Sequence, residues 1–301
     1  MLSIVRTLLF GALMVAASQA HSAIKVFACE PEWGSLVAEL AGDQASVFVA
    51  TTAQQDPHHI EARPALIARL RQADLLVCTG AELEAGWLPQ LQRQAANRKV
   101  QGDAPGYFEA AAQVERLEVP TTLDRALGDI HASGNPHVHT DPRRITTIAA
   151  RLGERLAEID PAHAGHYRAQ LAAFAARWKE AMTRWSRTAA PLKGTRAVAQ
   201  HKDWVYLYDW LGMKDAAVLE SKPGIPPSAG QLTELKARLA REPARLILIA
   251  PHQDPRAARW LAEQTGMPVV ELPYTVGGNP RANDLVSLFD DTVERLLAGL
   301  K

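Results

Sequence analysis

The amino-acid sequence predicts an α/β protein with two lobes, each with a small parallel four-stranded sheet flanked by helices, joined by one long rigid backbone helix. Short apolar, β-branched segments alternate with amphipathic helical patterns, which is typical of parallel α/β layers, and this alternation occurs twice along the chain. Between the two regions lies a stretch with helical periodicity alone. One sheet on each side of a helical segment accounts for both observations.

The individual elements follow from this alternation. In the first region the strands are IKVFA, ASVFVAT and DLLVC, and the helices are EWGSLVAELAG, RPALIARLRQA and LEAGWLPQLQRQA. In the second region the strands are TRAVAQ, AAVLE, RLILIA and PVVEL, and the helices are DWVYLYDWLG, SAGQLTELKARLA, PRAARWLAEQTG and NDLVSLFDDTVERLLAGL. Ser228 and Gln231 fit a capping box, while Gly212 and Gly266 suit the ends of helices.

The helical stretch between the lobes consists of two segments that meet at Asp160 and Pro161. In the second segment, large apolar residues recur at spacings of three and four: Tyr167, Leu171, Phe174, Trp178, Met182 and Trp185. This spacing predicts one buried helical face, which we interpret as core. A helix of this length spans roughly 40 Å, so it could brace both lobes and allow little hinge closure.

We therefore divide the chain into four segments. They are residues 1–23, a signal peptide; 24–140, an N-terminal α/β metal-binding lobe; 141–190, the linking backbone helix; and 191–301, a C-terminal α/β metal-binding lobe. The first segment has the charged, apolar and small-residue order of a secretory leader, with the apolar run TLLFGALMVAA followed by SQAHSA. We expect cleavage after Ala20 or Ala23 and a periplasmic product.

The charge of the chain excludes several classes of partner. Lysines and arginines number 33, and aspartates and glutamates also number 33. With no net charge, neither a nucleic-acid-binding tract nor a polybasic membrane surface is indicated. Partners must be recognised locally, and we expect a monomer.

The two cysteines, Cys29 and Cys78, each end an apolar segment that we predict to be a strand. If these strands are neighbours in a parallel sheet, the two sulfur atoms could meet, and export permits a disulfide. Two buried free thiols are the alternative.

Polar residues follow several predicted strands, where ligands bind to open parallel sheets. Four places combine histidines or a carboxylate with such a position: His58 and His59, His137 and His139, His201, and Asp284. Three imidazoles and one carboxylate fill a tetrahedral zinc shell, whereas manganese or calcium favours more oxygen donors. Because these residues are far apart in sequence, such a site would lie in a cleft between the lobes.

These segments resemble the periplasmic substrate-binding proteins of zinc and manganese ABC transporters. DPHHIEARP, GNPHVHTDP and QHKDWVYLYDWLGM are similar to the three histidine motifs of that family, and ANDLVSLFDDTVERL is similar to its acidic C-terminal segment. The resemblance implies that His58, His137 and His201 bind Zn²⁺ and that Asp284 is the acidic ligand. His252 and Asp254 compete with Asp284 for this fourth position.

The resemblance also implies a function and partners. It implies a high-affinity zinc-binding protein, not an enzyme, that delivers Zn²⁺ to the zinc ABC transporter permease in the inner membrane, with a periplasmic zinc chaperone as a further partner. His59, His131 and His139 would have accessory roles. Many zinc-binding members carry a long loop rich in histidine before the second ligand, whereas residues 113–131 here contain scattered acids and His131.

Two other functions are compatible with part of the sequence. A manganese-binding protein or a zinc metallochaperone would have the same fold. A zinc hydrolase is suggested by His-x-His-x-Asp at residues 137–141, which resembles the opening of the metallo-β-lactamase motif. That motif requires another histidine where Pro142 stands, and Asp141 followed by proline suits the start of a helix.

Overall fold

The computed structural model describes residues 23–121, 131–220 and 225–301. Within these residues the chain forms two parallel four-stranded sheets with helices on both faces, which confirms the predicted fold class. The predicted signal peptide lies outside the described residues except for its last position. In the described part of the chain, every helix is too short or too polar to span a lipid bilayer.

The N-terminal sheet has the strand order β2-β1-β3-β4. Its strands are β1 (Ile24–Ala28), β2 (Ala45–Val49), β3 (Leu75–Cys78) and β4 (Tyr107–Glu109), and its helices are α1 (Pro31–Ala41), α2 (Pro64–Arg71) and α3 (Leu88–Ala95). The sequence pattern predicted three of these strands by position. It missed β4, because three residues are too few to show the alternation that identifies a strand.

Two helices connect the lobes, α4 (Pro142–Ile159) and α5 (Ala164–Thr188). They pack antiparallel: Trp178 Nε1 donates a hydrogen bond of 2.9 Å to the Pro142 carbonyl, and the backbone of Gly153 lies against Leu171. The predicted long backbone helix is α5, whose 25 residues extend for about 37 Å. It contacts α1 of the N-terminal lobe directly.

The C-terminal sheet repeats the same topology, with the strand order β6-β5-β7-β8. Its strands are β5 (Arg196–Ala199), β6 (Lys214–Val218), β7 (Leu246–Ile249) and β8 (Val269–Glu271), and its helices are α6 (Val205–Leu211), α7 (Ala229–Arg241), α8 (Arg256–Thr265) and α9 (Leu285–Gly299). The helix α9 packs on α5. One continuous apolar core therefore runs from the first sheet through α5 to the second.

The two cysteines form a disulfide in the N-terminal lobe. Strands β1 and β3 are hydrogen-bonded neighbours, with Ala28 opposite Val77, so the next residues along each strand, Cys29 and Cys78, stand side by side. Their Cα atoms are 4.8 Å apart and the pair is bonded. Both residues are fully buried. Of the two alternatives that the sequence leaves open, the structure has the disulfide.

The aromatic face of α5 carries much of the packing between the lobes. Trp178 is 1% exposed, stacks on Phe174 at 5.3 Å between ring centroids, and meets Phe289 of α9 edge-on at 5.6 Å. We expect Trp178→Ala to lower the free energy of unfolding by about 3–5 kcal/mol, because it leaves a large cavity in this core. Urea unfolding measures this loss. Lys179→Ala, at the exposed neighbouring position, is the control and should change stability little; equal losses in both variants would contradict this role.

Candidate metal centre

Three histidines converge in the crevice between the lobes. His58 lies in the loop after β2, His201 follows β5, and His137 precedes α4 in the segment that leaves the first lobe. One ring nitrogen from each of the three lies within 4.8 Å of the other two. Parallel strands present their carboxyl ends at one edge of a sheet, so loops from both lobes meet here. The structure thus brings together the three histidines that the sequence motifs predicted.

His58 is held by the turn in which it lies. Its Nδ1 is 2.8 Å from Asp56 Oδ1, which also accepts a hydrogen bond of 3.0 Å from the His58 backbone N–H. Trp87 Nε1 donates to the carbonyl of buried Pro57, which fixes the turn from below. Burial raises the pKa of Asp56, but the hydrogen bonds from His58 more than offset it and hold the pKa below its usual range. Asp56 thus remains an acceptor for Nδ1–H.

His137 is the most buried of the three, with 1% of its surface exposed. Its Nδ1 is 2.7 Å from the Tyr274 hydroxyl, and its backbone N–H donates to Asn135 Oδ1. Burial lowers the pKa of His137 well below its usual range, and the neighbouring His58 and His201 lower it further. The ring is therefore neutral near pH 7, which is the form that binds a metal ion.

His201 is oriented by a carboxylate. Its Nδ1 is 3.2 Å from Glu220 Oε2, at the carboxyl end of β6. Burial lowers the pKa of His201, but the negative charge of Asp203 and the hydrogen bond and charge of Glu220 outweigh this effect and raise the pKa above its usual value. The same carboxylates that favour a proton on His201 would also favour a metal cation beside it.

Each of the three rings thus contacts a different acceptor through Nδ1: a carboxylate of Asp56, the hydroxyl of Tyr274 and a carboxylate of Glu220. Among the described residues, Nε2 of His58 and Nε2 of His137 are buried and have no hydrogen-bond partner. A buried nitrogen without a partner is costly. Nitrogens about 3.3 Å apart suit tetrahedral zinc, so the present spacing needs only a small inward movement.

The carboxylate on the Nε2 side of His137 is that of Asp203, which fits the fourth position better than the predicted Asp284. Asp203 is 1% exposed, and its Oδ1 lies 3.7 Å from His137 Nε2. Its Oδ2 accepts a hydrogen bond of 2.6 Å from Gln253. Asp284 instead caps α9: its Oδ1 accepts from the backbone N–H of Ser287 at 2.7 Å and from the Ser287 hydroxyl. The helix start uses this carboxylate, so it is not brought to the histidines.

Of the two residues that compete with Asp284 for the fourth position, His252 and Asp254, only one lies near the histidines. His252 lines the same cavity as His58 and His201, and its ring is 5.2 Å from that of Tyr274. Asp254 lies on the surface and pairs with Arg256. His252 therefore stays close to the cluster, whereas Asp254 does not.

The three histidines predicted as accessory have different surroundings. His59 is exposed at the rim, with its ring 6.2 Å from that of His58. The ring of His131 is 5.4 Å from His58 and 6.4 Å from His137, so it belongs to the cluster. The ring of His139 is 6.5 Å from that of His137, but its nitrogens contact other groups: Nδ1 lies 3.4 Å from Glu32 Oε1, and Nε2 lies 3.1 Å from the Tyr274 carbonyl. His139 therefore connects the lobes structurally.

The hydrolase motif at residues 137–141 does not form a shared metal site in the described parts of the chain. His139 faces Glu32, as above. Asp141 accepts from the Arg143 backbone N–H at 2.8 Å at the start of α4, and its carboxylate pairs with Arg143 and Arg144. Only His137 of the three motif residues is in the histidine group.

Sequence reasoning missed Asp203, Glu220 and Tyr274. All three stand close behind the carboxyl end of a strand: Asp203 after β5, Glu220 after β6 and Tyr274 after β8. The rule that identified the histidines would have found them, had it been applied to every polar residue after a strand.

The same substitution at Asp203 and at Asp284 distinguishes a metal ligand from a helix cap. We expect Asp203→Ala to weaken zinc binding by about 10–100-fold, because it removes the carboxylate that lies beside Nε2 of His137. Asp284→Ala should leave zinc affinity unchanged and lower the free energy of unfolding by about 1 kcal/mol through loss of the cap. Competition with a chromophoric chelator and urea unfolding measure the two quantities. The opposite pattern would restore Asp284 as a ligand.

The sequence is similar to a family model and to several known proteins. Residues 26–299 match the family model described as "Zinc-uptake complex component A periplasmic". The chain is 25% identical over 280 residues to the high-affinity zinc uptake system protein ZnuA of Paracoccus denitrificans, with 82% of each chain covered. It is 22% identical over 243 residues to the metal ABC transporter substrate-binding lipoprotein SloC of Streptococcus mutans, covering 78% of this chain and 76% of that protein.

The fold is also similar to that of a solved ZnuA structure. A crystal structure of ZnuA superposes with a TM-score of 0.77 at 21% sequence identity, covering 93% of this chain and 100% of that chain. The family model covers nearly all of the described residues, both lobes and the three histidines. The chain therefore belongs to the family of the periplasmic zinc-uptake complex component A.

Proposed function

We propose that this protein binds one Zn²⁺ in the crevice between its lobes and delivers it to the membrane permease of an ABC transporter. The observation that carries the proposal is the cluster of His58, His137 and His201, with each Nδ1 held by a separate partner and ring nitrogens directed at one point. Imidazole nitrogens held in fixed orientations suit zinc. The names of the relatives, a zinc uptake protein and a metal ABC transporter lipoprotein, agree with this role.

The site is suited to binding and release. The Nδ1 atoms of all three histidines are engaged by Asp56, Tyr274 and Glu220, which leaves Nε2 of each ring as the atom that would bind the ion. His58 and His201 line a cavity of about 50 Å³, which has room for an ion and little more. We therefore propose that the protein is a carrier and not an enzyme.

Zinc is proposed over manganese because of the donor set. Three imidazole nitrogens and the carboxylate of Asp203 make a nitrogen-rich site, with His131 as a further imidazole nearby. Manganese favours carboxylate, carbonyl and water oxygen. A manganese-binding protein of the same fold is the second candidate, since one relative is named only for metal transport.

Elemental analysis and titration test the choice of metal. We expect one zinc per mature chain after preparation without chelator, and Zn²⁺ should displace Mn²⁺ completely at equal concentrations, because manganese binds N-rich sites far more weakly. Retention of manganese in preference to zinc would support the second candidate. A chain that retains neither metal would contradict both.

The remaining parts of the proposal concern location and partners. We propose that residues 1–23 are removed on export, that residues 24–140 and 191–301 are the two metal-binding lobes, and that the periplasmic protein acts as a monomer. Zinc arrives either from solution or from a periplasmic zinc chaperone. N-terminal sequencing of the periplasmic fraction tests the cleavage and the location, and light scattering of the purified protein tests the monomer. Zinc transfer from candidate donors tests the source of the metal.

A further inference from the structure

A second group of metal-binding side chains lies in the N-terminal lobe, apart from the histidine cavity. Cys29, Cys78 and Glu84 are buried, and one ligand atom from each lies within 4.8 Å of the other two. Cys29 directly follows β1, and Cys78 is the last residue of β3. In the order β2-β1-β3-β4, β2 lies on one side of β1 and β3 lies on the other, so the strand order switches between β1 and β3. Open parallel sheets bind ligands beyond the carboxyl ends of the strands at such a switch point.

The carboxylate of Glu84 is fixed in place by backbone donors. Thr79 N–H donates to Glu84 Oε1 at 2.7 Å, and Gly80 N–H lies 3.1 Å from Glu84 Oε2. Burial raises the pKa of Glu84 to about 7 in spite of these hydrogen bonds. Glu84 is therefore close to the boundary between neutral and charged near pH 7.

A second carboxyl group, Glu30, faces Glu84. Its Oε2 accepts from the Thr79 backbone N–H and hydroxyl, at 3.2 and 3.1 Å. Its Oε1 is buried and, within the described residues, has no hydrogen-bond partner. Burial, and then the charge of Glu84, raise the pKa of Glu30 well above its usual range. A charged Glu84 therefore disfavours ionisation of Glu30.

A surface cavity reaches this group. It has a volume of about 280 Å³, and Glu84 forms part of its wall together with Glu82, Glu109 and Arg116. A cation could approach Glu84 through this acidic mouth, and none of the residues lining it lines the histidine cavity.

We propose that, when the Cys29–Cys78 disulfide is reduced, the two sulfur atoms and the Glu84 carboxylate form a second site for a thiophilic divalent cation such as Zn²⁺ or Cd²⁺. Thiolates are the preferred protein ligands of such ions, with carboxylate as an accepted additional donor. The Cα atoms of the cysteines are 4.8 Å apart, so side-chain rotation keeps both sulfur atoms within reach of one ion.

The reaction balances with an external reductant. A phosphine transfers two electrons to the disulfide, two protons from water complete the two thiols, and the phosphine takes the remaining oxygen as its oxide. The cation then displaces one proton from each thiol. Two thiolates and the Glu84 carboxylate together exceed the charge of the divalent cation by one negative charge, which the N–H groups of Thr79 and Gly80 partly offset. The bound cation and the disulfide are alternative states of the same cysteines.

The test compares oxidised and reduced protein. The mature chain is dialysed against Zn²⁺ with and without prior phosphine reduction, and zinc is counted per chain. We expect one ion in the oxidised protein, at the histidine cluster, and two in the reduced protein. With Co²⁺ as the probe, only the reduced protein should show thiolate-to-cobalt charge-transfer absorption. Loss of the first ion with gain of the second would overturn the proposed function and leave this inference intact.

Two variants make the result specific. The double variant Cys29→Ser, Cys78→Ser should bind one zinc under both conditions, and Glu84→Gln should weaken the second site of the reduced protein by about tenfold or more. A reduced protein that binds no more zinc per chain than the oxidised protein overturns the proposal. So does a reduced protein that unfolds at saturating zinc, because a cation bound to the folded site would stabilise it.

Discussion

Replacing His137 by alanine is expected to abolish high-affinity zinc binding without unfolding the protein. His137 is the most deeply buried of the three histidines that we propose as ligands, and its ring centroid lies 5.6 Å from that of His58 and 5.7 Å from that of His201. Loss of a contact outside the ligand shell typically costs 10–100-fold in metal affinity, so loss of this ligand should cost at least about 100-fold. Chelator competition measures the affinity, and circular dichroism measures the fold.

His139→Ala is the control for this experiment. It lies two residues away and is equally buried, but it contacts Glu32 and the Tyr274 carbonyl instead of the cluster. It should lower stability and retain zinc affinity within a few fold. A larger loss of zinc affinity in His139→Ala than in His137→Ala would show that the wrong histidine of the pair is assigned as the ligand.

Zinc should also stabilise the protein strongly at neutral pH and progressively less on acidification. An ion that binds only the folded chain adds about 4 kcal/mol at a thousandfold excess over its dissociation constant. Protons compete for the same nitrogens. Because the pKa of His201 is raised, this competition begins above the ordinary value of about 6.5, whereas His137, with its lowered pKa, competes only well below it.

In the apo protein, the shifted pKa values of His201 and His137 change stability with pH in opposite directions. The raised pKa of His201 gives stability that is complete below about pH 6.5 and is lost as the pH rises through the folded-state pKa. The lowered pKa of His137 gives stability that is present above about pH 6.5 and is lost as the pH falls towards the folded-state pKa. These two contributions to the stability of the apo protein oppose each other. The difference in stability between zinc-loaded and apo protein should therefore report mainly how zinc binding depends on pH.

Paired melting curves of apo and zinc-loaded protein, from about pH 8 to pH 4, measure this difference. Glu220→Gln is the informative variant. It keeps a hydrogen-bond acceptor for His201 Nδ1 but removes one of the charges that, after that of Asp203, raise the pKa of His201, so the loss of zinc stabilisation should begin at lower pH. A difference in melting temperature that stays undiminished at about pH 4 would argue for carboxylate ligands and against the histidine cluster.

The sequence determined the fold class and the chemistry of the site. The alternation of strand and helix patterns and the spacing of aromatic residues are both local properties of the sequence. The two lobes and the aromatic face of α5 could therefore be predicted from the sequence. The imidazole donors at His58, His137 and His201 were readable too, because residues behind parallel strands share one edge of a sheet. Their assignment as ligands remains a prediction until zinc binding to the variants is measured.

The tertiary structure decided which groups meet. The sequence offered Asp284 as the fourth ligand, but a carboxylate at a helix start can also cap it, and only the fold shows the hydrogen bond to Ser287. Asp203, Tyr274 and the pairing of Cys29 with Cys78 depend on contacts between chain segments far apart in sequence. Residue types and periodicity specify each segment separately, whereas distances between segments follow from how the two sheets pack on α5.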